Sequence, residues 1–467
     1  MLDNPGELII KISDGIWGAP ILILLLGGGF YFLVYSRLAP LRYIGHALQI
    51  LTGKYDDPNE AGQLRHYQAL STALAGTVGM GNVSGVAVAI TMGGPGAIFW
   101  MWVSALLGVS TKFFTCTLAV MFRGKDDAGE IQGGPMYYIT EGLGKNWRPL
   151  AVFFALMAMI GVSPLFQANQ LTQMIRDVIL VPNNIEASFT SNIVTGIIIS
   201  ILVGLVVIGG IKRIGKVTGR LVPTMVVVYT ITVFFIIFSN TSAIIPAFKT
   251  IIADAFTGNA VLGGSLGAII ITGVRRAAFS NEAGLGTAPM AHGAAKTNEP
   301  IREGLVAMLG PIIDTIIVCT MTALAIIITN TWQESSADGI TLTAHAFDSA
   351  IPVYGKYILA TCVIFFSMST MFAFPYYGVK CLGFVAGTKY QHIYNYLFVV
   401  VIILGAVSNL RVIIGLIDIA FALMAFPTVI TTILLSPHVK RAAKDYFLRL
   451  KAEKLLVKRT RNNAYNN

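Results

Sequence analysis

The chain alternates long apolar runs with short polar ones, and the apolar runs have the length of membrane spans. The first covers roughly Trp17–Tyr35; others follow near 68–91, 97–122, 149–175, 191–210, 221–239, 262–290, 303–329, 356–379, 392–407 and 411–435. At about 1.5 Å rise per residue, runs of this size cross a hydrocarbon core of about 30 Å, so the pattern predicts eleven transmembrane helices. The fold class is therefore an all-α polytopic membrane protein. An acidic start, with Asp3, Glu7 and Asp14, precedes the first run in place of a basic n-region, so this helix is read as retained and not cleaved as a signal peptide.

Composition and charge sharpen this picture. The 467 residues are 55% hydrophobic and 12% charged, with a mean hydropathy of +0.71, well outside the range of soluble domains. The net charge of +10 is unevenly placed: Lys440–Arg461 holds nine Lys/Arg against Asp445 and Glu453. A basic tail beside a final span marks the cytoplasmic side, where it would meet anionic lipid, and gives no reason to expect nucleic acid. With an odd span number the N-terminus lies outside. The connections agree: Arg37, Arg42, Lys54 and Arg65, then Arg123, Lys125, Lys145 and Arg148, fall inside, whereas 330–355 carries Glu334, Asp338 and Asp348 outside. The expected organisation is one transmembrane domain over 1–467, with a peripheral first helix (17–35), a core (68–435) and a basic tail (436–467). Cys116, Cys319, Cys362 and Cys381 lie in or beside apolar runs and form no CxxC pair, so they read as small buried residues.

Candidate chemistry concentrates in two glycine-rich interruptions. Gly76, Gly79, Gly81 and Gly85 crowd the second span, where they either unwind the helix or, as Gly81-xxx-Gly85, let a neighbour pack closely. The seventh span is also rich in glycine and carries Arg275, Arg276, Asn281 and Glu282 at membrane depth. Setting the first helix aside, these are helices one and six of ten. That is the pattern of a five-plus-five inverted repeat whose first helices are both broken at a midplane site, where amides and helix N-termini would hold a carboxylate and carbonyls a hard cation. Ser369 and Thr370 would complete an oxygen shell with carbonyls near Ala75 and Val78. Arg276 has three candidate partners: Glu282, Asp314 and Asp418. Gly263–Gly267 matches GxSxG without a strand or an acid–base partner, which leaves no case for an enzyme. An ion channel is the rival class, because broken helices also build selectivity filters; the two interruptions differ in sequence, which favours an asymmetric substrate site.

The segments GNVSGVA and GGPGAIFWMW within Gly76–Trp102, FSNEAGLGTAPMAH (279–292), QAN (167–169), DTIIVCT (314–320) and YYG (376–378) together resemble the sodium:alanine (alanine or glycine:cation) symporter family, in order over nearly the whole chain. The resemblance implies ten of the eleven helices arranged as in the bacterial leucine transporter. It implies sodium as the coupling ion, no organic cofactor, and import of a small neutral amino acid across a bacterial or archaeal cell membrane. Carried over by position, the substrate carboxylate would meet Gly79, Met80, Gly81 and Asn82, Gln167 would line the pocket, and Gly273 and its neighbours would receive the amino group. One sodium would lie among Ala75, Val78, Ser369 and Thr370, and a second would use Thr77 and Asn82. Two departures bear on substrate size. Met80 stands where the family usually has threonine, filling space. Phe374 stands where it has tryptophan, opening space for a larger neutral amino acid such as glutamine.

Overall fold

A computed structural model of the chain describes residues 5–57, 59–208, 211–257, 266–334 and 337–465. Gly263, Gly264 and Ser265 of the GxSxG match lie outside the described residues. Nearly all regular structure is helical: α1 (Pro5–Ile16), α2 (Ala19–Tyr35), α3 (His66–Thr77), α4 (Met80–Gly93), α5 (Gly96–Met121), α6 (Arg148–Gly161), α7 (Leu165–Ile175), α8 (Phe189–Val207), α9 (Ile211–Ser239), α10 (Thr241–Thr257), α11 (Leu266–Asn281), α12 (Thr287–His292), α13 (Pro300–Ile328), α14 (Gly339–Ala350), α15 (Gly355–Ala386), α16 (Ile393–Val407) and α17 (Leu410–Tyr465). A two-stranded antiparallel ribbon pairs Gly124–Lys125 with Ile131–Gln132. Among the described residues, six helices are long and apolar enough to cross a membrane, and up to nine spans result if each bent pair counts as one. Of the other expected spans, 392–407 forms only the 15-residue α16, and 262–290 divides between α11 and α12.

The interruptions fall where the glycines stand. Helices α3 and α4 meet at a 42° bend across Val78 and Gly79. Between α11 and α12 the chain turns through Glu282, Gly284 and Gly286, all at positive φ (54°, 87° and 96°). Glycine adopts that region freely, whereas an acidic residue is held there only by its surroundings. Helix α5 forms the buried centre, in contact with α3's partner α4, with α11 and with α13. Glycines also let α2 reach the centre: a Cβ on Gly28 would stand 2.7 Å from Val429, and one on Gly29 would stand 2.9 Å from Leu107.

Three elements are shaped differently from the sequence expectation. Helix α10 occupies part of 240–261, where no element was expected. Helix α14 occupies 339–350, read as an open loop; it buries Ile340, Leu342 and Phe347, and Thr343 Oγ1 donates to Val83 O of α4 at 3.3 Å. The basic tail continues α17 as one helix to Tyr465. Val439, Ala443, Tyr446 and Leu450, spaced by four, three and four residues, form a buried stripe on it. Tyr446 OH bonds His46 Nε2 at 2.6 Å, and Phe447 stacks on Tyr43, so the start of the tail is packed against the 39–51 segment.

Opposite ends of the two broken helices are clasped together. Gln63 and Leu64 amides donate to Ala294 O, and Lys296 N donates to Leu64 O at 2.5 Å. Arg123 gathers the carbonyls of Gly293, Ala295, Thr297 and Ala61. Beneath them, buried Glu303 of α13 holds His66 at the start of α3 and His292 at the end of α12, the latter at 2.5 Å. One carboxylate thus ties the beginning of the first broken helix to the end of the second.

Candidate functional site

At the first break the backbone leaves its helical partners. Gly79 N turns to Asn82 Oδ1 at 2.8 Å, and Asn82 N returns to Gly79 O at 3.1 Å, closing a reciprocal turn that starts α4. Freed from that amide, Ala75 O meets Thr370 Oγ1 of α15 at 3.5 Å. Ser369 Oγ, beside it on α15, is fully buried and has no hydrogen-bond partner among the described residues, and the same holds for buried Thr77 Oγ1. Unpaired buried hydroxyls are costly, so two of them, one on the residue next to Thr370 and one two residues after Ala75, are oxygens with capacity to bind a ligand. Hard oxygens of this kind suit sodium.

The break opens onto a small cavity between α3, α4, α7, α11, α15 and α17. Its free interior is about 10 Å³, room for roughly one water, so a larger occupant requires its side chains to move apart. Its polar lining includes Thr77, Ser163 and Gln167, each carrying a buried oxygen without a partner among the described residues. Its apolar wall is Met80, Phe279, Phe374, Ile417 and Phe421, with Phe279 meeting Phe421 at 5.8 Å between ring centres. Glu282 lies on the lining too, and Thr287 Oγ1 donates to its Oε2.

Buried charges flank the cavity. Asp418 of α17 forms an ion pair with Arg275, whose Nε lies 2.6 Å away, and accepts a hydrogen bond from Arg276 Nη2. Arg275 also reaches Asp14 Oδ1 at 2.9 Å and Ser13 Oγ, and Trp17 Nε1 donates to Asp418 O at 2.8 Å. The first helices are thereby fastened to the second break. Arg276 lies over the face of Phe279 at 5.3 Å. Of the three acids open to it, Arg276 pairs with Asp418. Asp314 of α13 instead accepts from Ser280 Oγ at 2.5 Å and from Asn82 Nδ2 at 2.9 Å.

Of the residues expected at the substrate site, Met80, Gly81, Gln167 and Phe374 line the cavity, as do Thr77 and Thr370 from the ion sets. Gly79 sits directly behind it: a Cβ there would stand 2.5 Å from Thr370 Oγ1. Asn82 points away, its amide committed to Asp314. Gly273 packs against α5, where a Cβ would meet Ala97 O and Trp100 Cβ at 2.5 Å, and it does not line the cavity. Ala75, Val78 and Ser369 are buried and do not line the cavity, with Ala75 meeting α15 through Thr370. Ser163, Phe279, Glu282 and Phe421 were not foreseen there. Ser163-Pro164 carried a signal, because a serine before a proline in an apolar run interrupts a helix, and α6 and α7 do part at that point.

Apolar helices that enclose a polar-lined cavity at an unwound helix are an arrangement found in proteins that pass solutes across membranes. The chain belongs to the sodium:alanine symporter family, whose pattern matches residues 4–460. Among its relatives, a transporter of Haemophilus influenzae is 40% identical over 452 residues, 95% of this chain and 97% of its own. The sodium/alanine symporter AgcS of Methanococcus maripaludis is 38% identical over 449 residues, 94% of this chain and 97% of its own. The probable sodium/glutamine symporter GlnT of Bacillus subtilis is 33% identical over 455 residues, 96% of this chain and 92% of its own. Members of the family are transporters and not enzymes.

Proposed function

We propose that this protein is a sodium-coupled symporter that imports a small neutral amino acid, alanine or glycine first, by alternating access. In this reading eleven helices cross a bacterial or archaeal cell membrane with the N-terminus outside and the C-terminus cytoplasmic, and ten of them form a five-plus-five inverted repeat like that of the leucine transporter. The observation that carries the proposal is the first break: Gly79 N abandons Ala75 O, and the freed carbonyl meets Thr370 beside the unpaired hydroxyls of Ser369 and Thr77. The substrate carboxylate faces the amides at Met80 and Gly81 at the start of α4, where the helix dipole favours an anion, and Gln167 supplies a polar contact across the cavity. One sodium takes oxygens from Ala75, Val78, Ser369 and Thr370, and a second lies near Thr77 and Asn82.

A carrier of glutamine is the second reading. It is favoured by Phe374, the smaller aromatic where a tryptophan would close the cavity, and by the resemblance to GlnT. Uptake of labelled alanine into proteoliposomes under an imposed sodium gradient tests the proposal. Saturable uptake that stops when the gradient is removed is the expected result, and competition by glycine and glutamine ranks the substrates. Non-saturating ion flux without amino-acid uptake would establish a channel instead.

A further inference from the structure

We propose that Glu282 is the specificity-determining residue that receives the substrate's ammonium group; this rests on the symport reading above. Of the thirteen residues lining the cavity, Glu282 alone is ionisable. It sits within the second break at φ 54°, a left-handed conformation that an acidic residue adopts only at a cost, so the surrounding fold holds it there. Oε2 is taken by the Thr287 hydroxyl, while Oε1 has no hydrogen-bond partner among the described residues. The side chain is 3% exposed and has no ion-pair partner within 4.0 Å among the described residues.

The wider charge balance points the same way. Lys112, fully enclosed on α5, lies in the field of both Glu282 and Asp314 without an ion pair to either. Arg275 and Arg276 are engaged by Asp418, so of the charges left over, Glu282, Asp314 and Lys112, two are negative and one positive when ionised. An isolated buried charge is expensive, and it is relieved by a cation brought with its own hydrogen bonds. The start of α4 lines the same cavity through Met80 and Gly81, and its amides and dipole favour an anion. A positive helix end and a carboxylate lining one cavity match a zwitterion held by both its groups, with the ammonium at the second break and the carboxylate at the first. Discrimination against carboxylates that lack an amino group then follows from the unpaired charge they would leave at Glu282.

The test compares the full-length protein with Glu282→Gln in proteoliposomes. Labelled L-alanine is competed by unlabelled alanine and by propionate, which keeps the carboxylate and lacks the ammonium. Glu282→Gln preserves shape and an acceptor for Thr287. It should weaken alanine binding by about 10- to 100-fold, the range for a hydrogen bond to a charged group, while inhibition by propionate holds or strengthens, because the charge it would leave unpaired is gone, and the sodium concentration for half-activation stays within about twofold. Glu282→Asp retains the charge on a shorter arm and should fall between the two, which keeps the test decisive if the glutamine variant does not fold. Unchanged alanine affinity, equal weakening for alanine and propionate, or a selective rise in the sodium requirement would each overturn the assignment. Wild-type protein that takes up no amino acid under a sodium gradient would overturn the symport reading itself, and the assignment with it.

Discussion

Neutralising Asp418 isolates the energetics of the buried charge network. Asp418 is fully buried and binds two guanidinium groups, that of Arg276 with 1% of its side chain exposed and that of Arg275 with 9%. The network closes with Asp14, whose side chain is 61% exposed. In Asp418→Asn, Arg275 keeps Asp14 but Arg276 loses its only carboxylate among the described residues. Breaking one side of a buried pair costs about 3–5 kcal/mol, because an uncompensated charge remains inside. The solvated Asp14 partner should matter far less, with Asp14→Asn costing about 0–1 kcal/mol. The bond from Trp17 Nε1 ends on the backbone oxygen of Asp418 and survives the substitution, so the side-chain charge is what changes. Equilibrium unfolding of purified protein by SDS titration in mixed micelles reads the difference. A double-mutant cycle with Arg276→Met supplies the control: removing both charges should recover most of the loss, with a coupling energy of about 2 kcal/mol or more. An Asp418→Asn variant no less stable than Asp14→Asn, or an additive cycle, would refute the assignment of Asp418 as the partner of Arg276.

Other perturbations separate ion binding, selectivity and gating. Ser369→Ala removes a buried hydroxyl that lacks a partner, so stability should hold or rise slightly, while the sodium concentration that half-activates alanine uptake rises about tenfold; an unchanged sodium dependence would exclude Ser369 from the ion shell. Phe374→Trp places a larger ring on the cavity wall facing Gly76, where Phe374 Cε1 already lies 3.4 Å from the position of an added Cβ. Competition assays should show glutamine losing ground to alanine, and the same ranking in both proteins would remove Phe374 as a selectivity element. Glu303→Gln leaves one of His66 and His292 facing an amide donor, a loss of about 1–3 kcal/mol from the clasp. Amide hydrogen exchange in 63–66 and 293–297 should accelerate by about tenfold or more, and unaltered exchange there would show that the clasp does not hold the two helices together.

The parts of the site readable in the sequence were those whose signal is local. Glycines at 76, 79 and 81 inside an apolar run forecast a break because a helix tolerates them poorly wherever it occurs, and paired hydroxyls at Ser369 and Thr370 stood out against apolar neighbours. Elements below spanning length were hidden for the converse reason. The 12 residues of α14 carry an apolar face that periodicity alone does not distinguish from a loop between spans, and the stripe at Val439, Ala443, Tyr446 and Leu450 is masked by the basic residues around it.

Partnership between distant charges is a different kind of property. Each residue along a helix turns the side chain by about 100°, so a displacement of one residue in register sends Arg276 towards another neighbour. The choice among Glu282, Asp314 and Asp418 therefore depends on how α11, α13 and α17 are rotated against one another, and composition carries no record of that rotation. The structure separates the three acids by it: Asp418 receives the arginines, Asp314 receives Asn82 and Ser280, and Glu282, at the cavity, has one oxygen bound and the other unpaired among the described residues. That division gives the acids different work. An acid already paired with arginine has no charge to offer a substrate, whereas one whose only bond is to a neutral hydroxyl does. The same packing that withdraws Asp418 from the cavity leaves Glu282 available within it.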